Sequence, residues 1–474
     1  MQKGCKMSNN IIFKTIKTYN HPYVYDRHTN SLVRLTDDEY QELLKVEKLE
    51  LKSEESGVIK KYQEFGLFHP NTVEKIENNQ ALLIEQYLKS RLTQLTLQVT
   101  QQCNLRCKYC AFSGIYENNR IHSANRMTLD IARRSIDFFL ERVRERSDIT
   151  IGFYGGEPLL EFDLIKQCVE YIRGHVEGKQ IKYTLTTNGT LMPDDVIDFL
   201  VENDFLLNIS LDGSKTEHDA SRQFANGEGT FDTIIENIKK IGEKHPEYKR
   251  KIQIMTTINP HMDLGCVLEY FKADDAFATN SILFNPMSEA NLKERPNYDV
   301  NYFRVRNYEY IKALFYMIGK VEQKYISPLS RSVVGLTERK SKQLSEHFAL
   351  PSTTSHGGAC KIGVRRLFVR VDGSLFPCER VNETLDYFMI GTIDAGFDID
   401  KISKIFNIGK LTADECKNCW ALRFCVICAG QIECENEPSR ANKLVECTKS
   451  LNQSLFSLYE LCVLKEFGYS TEGR

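Results

Sequence analysis

The sequence contains no run of about 18 apolar residues that could cross a bilayer. Its opening stretch, Met1 to Asn10, is polar where a secretory signal would be apolar. These absences exclude a membrane-spanning helix and predict a soluble cytoplasmic protein. Charge of one sign is also missing: 62 Lys and Arg stand against 64 Asp and Glu, a formal net charge of -2. Nothing in that balance drives binding to nucleic acid or to an anionic membrane, and neither is expected as a partner. There is no internal repeat and no low-complexity tract, and the chain has one tryptophan, Trp420. What remains is an ordinary globular composition, 42% apolar and 27% charged over 474 residues, long enough for two or three domains.

Cysteine is the residue in excess, with 15 copies. A reducing cytosol keeps thiols free, so clustered cysteines there point to metal or catalysis rather than to disulfides. Three lie together at 103–110 and eight between Cys360 and Cys447. Cys5, Cys168, Cys266 and Cys462 are isolated and read as small buried apolar residues or, at the N-terminus, a terminal thiol.

The segments IIFKTIKTY and HPYVYDRHTNSLVRL read as a strand and a hairpin turning at Thr29-Asn30. Thr36 then N-caps the helix TDDEYQELLKV, and VIKKYQEFGLF forms another. This outlines a small winged-helix domain, whose helices are joined by the charged stretch Lys45 to Ser56. A helix over about Thr72 to Leu92 links it onward. From Leu95 to Pro286 the apolar runs LTLQVT, ITIGFY, IKYTLTTN, FLLNISLD, KIQIMTTIN and SILFNP read as strands separated by amphipathic helices. Repeated βα units predict a parallel sheet, either open or closed into a full or partial barrel, with chemistry at the C-terminal strand ends. Residues 302–324 read as helix and Ser327 to Gly357 as loop with a short helix. A cysteine-rich portion follows, and Ser450 to Phe467 forms a closing helix.

Directly after the first of these strands comes Cys103-x3-Cys107-x2-Cys110. Three thiolates on one loop can hold three irons of a [4Fe–4S] cluster and leave the fourth iron open. A zinc site would need a fourth N or S ligand, which the segment lacks. This motif, with Tyr109 before the last cysteine, resembles the radical S-adenosylmethionine (SAM) superfamily. Further motifs follow in order: Gly155-Gly156-Glu157-Pro158 after the second strand, Thr186-Thr187-Asn188-Gly189 after the third, and Ser210-Leu211-Asp212-Gly213 after the fourth. The resemblance covers about residues 95–286. It implies that Tyr109, Gly155, Gly156, Glu157, Asn188, Ser210, Asp212 and Arg222 surround SAM, with Glu157 on the methionine ammonium and Arg222 on the carboxylate. The reaction implied is one-electron cleavage of SAM to a 5′-deoxyadenosyl radical that abstracts a hydrogen atom.

The later cysteines, Cys360-x12-Gly373-x4-Cys378 and Cys416-x2-Cys419-x5-Cys425-x2-Cys428 with Cys434 and Cys447, resemble the SPASM extension of radical SAM peptide-modifying enzymes. That resemblance implies two auxiliary [4Fe–4S] clusters, three in all. Cys360, Cys378 and Cys428 would serve the first, with an open iron unless Cys434 closes it, and Cys416, Cys419, Cys425 and Cys447 the second. The family usually has one more residue before the last cysteine of the quartet, and zinc knuckles are the alternative on spacing alone. Trp420 reads as packing beside a cluster. The implied fold class is α/β: a partial (β/α)6 TIM-like barrel with an N-terminal winged-helix domain and a C-terminal cysteine-rich iron–sulfur domain, divided at 1–92, 93–325 and 326–474.

The first 70 or so residues resemble the precursor-recognition domain of peptide maturases, in which a leader peptide adds a strand to the hairpin edge. The stretch AFSGIYENNRIHS, with Tyr116, Arg120 and His122, resembles maturases that form cysteine thioethers and lines a substrate channel on that reading. The expectation is a peptide maturase that binds a cysteine-containing precursor through its leader, takes electrons from a flavodoxin or ferredoxin, and links Cys sulfur to carbon. The alternatives are carbon–carbon cross-linking, another peptide oxidation such as formylglycine formation on a sulfatase, or a non-catalytic iron–sulfur electron carrier.

Overall fold

The protein is described by a computed structural model over residues 10–469, except 274–276, 278–279, 358–359 and 361; Cys5 lies outside the described residues. The chain opens with an antiparallel sheet of β1 (Phe13–Lys17), β2 (Pro22–Asp26) and β3 (Ser31–Arg34), followed by α1 (Asp37–Glu47) and α2 (Gly57–Gln63). Thr36 caps α1 in a reciprocal capping box: its side chain accepts from Glu39 N at 3.3 Å, and the Glu39 carboxylate accepts from Thr36 N at 2.8 Å. Side chains alternate along a strand, so β2 serves two cores at once. Val24 packs inward with Phe13, Leu43, Ile59 and Phe68, while Tyr23 and Tyr25 face Leu344, Phe424, Leu458 and Leu461 from the far end of the chain.

The segment expected as one helix over Thr72 to Leu92 is instead a short strand, β4 (Lys75–Ile76), and a short helix, α3 (Ile84–Ser90). Backbone pairing wins there: Lys75 N donates to Ser352 O at 2.9 Å and Glu77 N to Thr354 O at 2.8 Å.

The central body alternates strand and helix: β5 (Gln94–Thr100), α4 (Leu129–Leu140), β6 (Asp148–Gly155), α5 (Phe162–His175), β7 (Gln180–Thr187), α6 (Asp194–Glu202) and β8 (Leu206–Ser210). It continues with α7 (Lys215–Ser221), α8 (Phe231–Lys244), α9 (Pro246–Lys251), β9 (Gln253–Ile258), α10 (Leu264–Ala273) and β10 (Ser281–Pro286). The strands β5 to β10 lie in chain order and pair in parallel, the arrangement of a partial (β/α)6 barrel. Most apolar residues from β5 to β8 are buried, as expected for strands covered on both faces, with Leu206 at the start of β8 exposed.

Next come α11 (Val300–Met317), α12 (Pro328–Ser345) and β11 (Thr353–Thr354), which pairs with β4. β12 (Leu367–Val369) then adds parallel to β5, and β13 (Ser374–Phe376), β14 (Gly391–Thr392) and β15 (Gly396–Phe397) extend the same sheet antiparallel. The cysteine-rich portion is therefore built onto the barrel rather than beside it. α13 (Ile399–Phe406), α14 (Ala413–Lys417) and α15 (Arg440–Glu466) complete the chain.

Two helices are longer than the sequence suggested. Ser327 caps α12 and Pro328 opens it, so this polar stretch forms 18 residues of helix. α15 starts at a capping box on Ser439 and so carries Cys447 on its early turns. Cys168 and Cys462 are buried, whereas Cys266 is exposed, contrary to expectation. Among the described residues no helix is long and apolar enough to cross a membrane.

The end of β6 is pressed against the loop leaving β5. Gly156 N donates to Thr100 O at 3.0 Å and Glu157 N to Gln102 O at 2.9 Å. A Cβ on Gly156 would stand 2.1 Å from Gln102 O, and one on Gly155, whose φ is +150°, 2.1 Å from Thr100 O. The glycine pair thus admits the chain's own backbone just before Cys103. Gly156→Ala is expected to lower unfolding stability by about 2–3 kcal/mol and to reduce iron uptake on reconstitution. Gly174→Ala, in α5 with nothing within 4 Å of the added carbon, serves as the neutral control in the same measurements.

Candidate active site

The cysteine loop leaves the C-terminal end of β5, with Cys103 buried and Cys107 and Cys110 half-buried. Their sulfurs are close enough to feel one another's charge. Burial pushes the Cys103 thiol up to about 12, and Glu157, Cys107 and Cys110 add to the shift. Backbone amides offer donors: Leu105 N to Cys103 Sγ and Phe112 N to Cys110 Sγ, both at 3.4 Å. Thiols so raised stay protonated until a metal displaces the proton, and amides aimed at sulfur suit metal-bound thiolates. The donor set fits a cluster held on three cysteines.

Glu157 lies beneath this loop and is wholly buried. Its carboxylate accepts from Thr187 Oγ1 and Asn188 N, each at 2.7 Å, and from Leu159 N at 3.0 Å. Burial raises its pKa while these donors pull it down. Through these bonds Glu157 staples the ends of β6 and β7 together. Asn188 is similarly engaged: its amide donates to Asn104 Oδ1 at 2.8 Å, and its Oδ1 accepts from Thr190 N at 3.0 Å. It fixes the residue next to Cys103.

Ser210 ends β8, opposite Met255. Beyond it, Asp212 is fully buried and accepts from Thr257 N and Arg222 Nε, both at 2.8 Å, and from the Tyr109 hydroxyl. Arg222 was expected on a SAM carboxylate. In the structure its Nε belongs to Asp212, its Nη1 points to Cys107 Sγ at 3.9 Å, and its guanidinium lies 5.3 Å over the Tyr109 ring. Asp212 keeps Arg222 charged, and Arg222 in turn favours the Cys107 thiolate. His218, missed by sequence reasoning, completes this network: its Nδ1 accepts from Asp212 N at 3.1 Å, and its Nε2 meets Thr230 Oγ1 at 2.9 Å.

The C-terminal cysteines form two groups. Burial pushes Cys378 up to about 11, with Glu379, Cys428 and Cys360 adding to it. Burial likewise holds Cys419 at about 11, with Cys416, Cys425 and Cys447 adding. Cys434 lies near Glu437 and Tyr387. Trp420 packs with Tyr23, Tyr25 and Phe424, at the seam with the N-terminal sheet. Among the described residues no three His, Cys, Asp or Glu side chains close on a single metal ion.

Between the first loop and Cys378 lies Tyr154 of β6, whose hydroxyl feels both Glu379 and Cys110. Arg120 lies 3.5 Å over the Phe112 ring and pairs with Glu383, which also accepts from Gln98 Nε2 at 2.8 Å. Tyr116 donates to Ser288 O at 3.0 Å and is structural. Both ring nitrogens of His122, Arg120 Nη2 and Glu379 Oε2 are buried without a hydrogen-bond partner among the described residues. Buried polar atoms of this kind call for a ligand. Glu379 could have been noticed in sequence only as the neighbour of Cys378.

Residues 97–263 match the Radical SAM superfamily. Over 346 residues the chain is 27% identical to a cysteine-type anaerobic sulfatase-maturating enzyme of Clostridium novyi (strain NT), covering 69% of this chain and 85% of that protein. A second enzyme of that description, from Clostridium perfringens (strain ATCC 13124), is 27% identical over 349 residues, 70% of this chain and 87% of its own length. The solved structure of native anSMEcpe with bound AdoMet shares the fold, with TM-score 0.57 at 23% identity, covering 79% of this chain and 99% of that one. The chain thus carries a radical SAM domain on an α/β barrel of that class. More particularly, it is a homologue of the anaerobic sulfatase-maturating enzymes.

Burial lowers His218 from 6.5 to about 4, so the folded protein holds it neutral. Below pH 6.5 the unfolded chain gains this proton while the folded chain does not until about pH 4. Stability is therefore expected to fall by about 3 kcal/mol from this group as pH drops through that window. Denaturant unfolding of the wild type and His218→Gln across it should show a shallower loss in the variant.

Proposed function

We propose that this protein oxidises a cysteine side chain of a peptide or protein, with formylglycine formation of the sulfatase-maturing kind as the first reading. The observation that carries it is similarity to cysteine-type enzymes along 85% of the relative's length. The buried, unpartnered atoms of His122, Arg120 and Glu379 beside Cys110 and Cys378 support it, since they mark where a substrate would sit.

Cys103, Cys107 and Cys110 would hold a [4Fe–4S] cluster that, with SAM, would supply a carbon radical able to remove a hydrogen atom. Glu157, Asn188 and the glycine pair hold the loop rigid for that event, and Arg222 sets a compensated positive charge beside Cys107. Oxidation of a cysteine removes a hydrogen atom, a proton and an electron. The free carboxylate oxygen of Glu379 is placed to take the proton, its other oxygen being held by Arg366. Cys360, Cys378 and Cys428, and Cys416, Cys419, Cys425 and Cys447, would hold two auxiliary [4Fe–4S] clusters, which supply an electron path. An electron donor of the flavodoxin or ferredoxin type fits this chemistry.

Thioether cross-linking of a precursor peptide is the second reading, and the N-terminal sheet favours it. The β1 edge is closed by Glu47, which accepts from Thr15 N at 2.9 Å, so a leader strand would add at β3, the other edge. A simple electron carrier would leave the radical SAM domain without purpose.

Anaerobic incubation with SAM and dithionite, using a sulfatase peptide and a cysteine-rich precursor peptide in parallel, separates these readings by mass spectrometry. Loss of two hydrogens together with replacement of sulfur by oxygen in the sulfatase peptide, water attacking the oxidised carbon and hydrogen sulfide leaving, is the expected result. Loss of two hydrogens per cross-link with consumption of thiols in the precursor would move the assignment to thioether formation, and with thiols intact to carbon–carbon bonds. SAM consumption with both peptides unchanged would overturn the cysteine reading.

A further inference from the structure

Lys443 is buried on α15, one turn before Cys447, with 1% of its surface exposed. An ammonium taken out of water is strongly unfavourable without an anion, and buried lysines are accordingly paired. Among the described residues, Lys443 Nζ donates to Thr412 Oγ1 and points to Cys416 Sγ at 3.7 Å, and it makes no ion pair with Asp or Glu. Its charge is felt at Cys447 and at His356. Glu415, the acid that also faces Cys447, is engaged by Arg440. Neutral thiols would leave this cation uncompensated, so its surroundings call for a metal–thiolate anion.

A second buried cation reaches the same site from the other end of the chain. Arg27, in the turn between β2 and β3, is 2% exposed. Its Nη1 donates to Lys417 O at 2.6 Å and Cys419 O at 3.3 Å, on the loop that carries Cys416 and Cys419. Arg423 returns the contact, donating to Arg27 O at 2.8 Å and His28 O at 2.7 Å. Lys340 of α12 feels the charges of Glu460 and Cys425. At the other auxiliary group Cys378 feels the negative charge of Glu379, while Cys360 feels Arg365 and Arg366.

We propose that Lys443 and Arg27 form a cationic clamp that supplies the counter-charge of an iron–sulfur cluster on Cys416, Cys419, Cys425 and Cys447 and raises its reduction potential. Nearby positive charge favours the more negative, reduced state of such a cluster. The clamp also makes the N-terminal unit part of the cluster's housing. This rests on the reading that those four cysteines bind a cluster.

The test uses full-length reconstituted protein, read by iron per chain and by potentiometric titration followed by electron paramagnetic resonance. The double variant Cys416→Ala/Cys447→Ala first identifies the signal and the iron belonging to this site. Lys443→Gln is expected to move that signal to lower potential or to lose that site's iron, while Lys443→Arg keeps both near native. Arg27→Gln should shift the signal the same way but less, because its charge acts through carbonyls. Unchanged iron and potential in Lys443→Gln, or equal loss in the Gln and Arg variants, would overturn the clamp. If the double cysteine variant loses no iron, the cluster reading itself fails and the clamp with it.

Discussion

The carboxylate of Glu157, sealed under the cysteine loop, is the contact on which the rest of the structure depends. It ties the ends of β6 and β7 together through Thr187, Asn188 and Leu159. The glycines before it let the backbone of residues 100–102 lie directly against β6. Because an unpaired buried carboxylate is so unfavourable, this geometry has little freedom to drift. The loop of Cys103, Cys107 and Cys110 therefore starts from a fixed point at the C-terminal rim of the barrel, where such folds carry their chemistry. Asn188 and Asn104 lock the next residues in turn.

Charge is distributed around the sulfurs with the same economy. Arg222 stands at Cys107 with Asp212 as its permanent counter-ion, so the first site sees a cation already half neutralised. At the second C-terminal group the cations Lys443 and Arg27 lack such a partner. Between the first loop and Cys378 lie Tyr154, His122, Arg120 and Glu379, the last three with buried polar atoms that have no partner among the described residues. The N-terminal sheet is fastened to the cysteine-rich portion by Arg27, Arg423, Tyr25 and Phe424. A peptide held on that sheet would therefore be presented from a unit already bolted to the iron–sulfur part of the molecule.

The barrel was legible because strands buried on both faces must be apolar runs, and all six lie within a few residues of where the sequence places them. The resemblance to the SPASM extension, not the spacing, divides the C-terminal cysteines, since spacing alone joins Cys428 to Cys425; folding sets Cys428 and Cys360 near Cys378, and Cys416, Cys425 and Cys447 near Cys419. What could not be read are contacts made over long distances in the chain. Arg27 looks like an ordinary turn residue, yet it meets a carbonyl 390 positions away. Lys443 falls in the cysteine-rich portion, ahead of the helix the sequence starts at Ser450, whereas α15 already runs from Arg440. Glu157 and Arg222 were legible as members of a motif, but their partners, Thr187 and Asp212, show them acting from inside the protein. α12 was missed although Ser327-Pro328 is a helix-start signal, because the stretch around it is polar.

The account stands on the loop of Cys103, Cys107 and Cys110 holding a cluster that cleaves SAM. The most direct measurement is 5′-deoxyadenosine released from SAM under anaerobic reduction by the iron-loaded wild type and by Cys107→Ala. The account predicts formation by the wild type and its loss in the variant, with the C-terminal iron retained. No nucleoside from an iron-replete wild type, or equal amounts from both proteins, would contradict it.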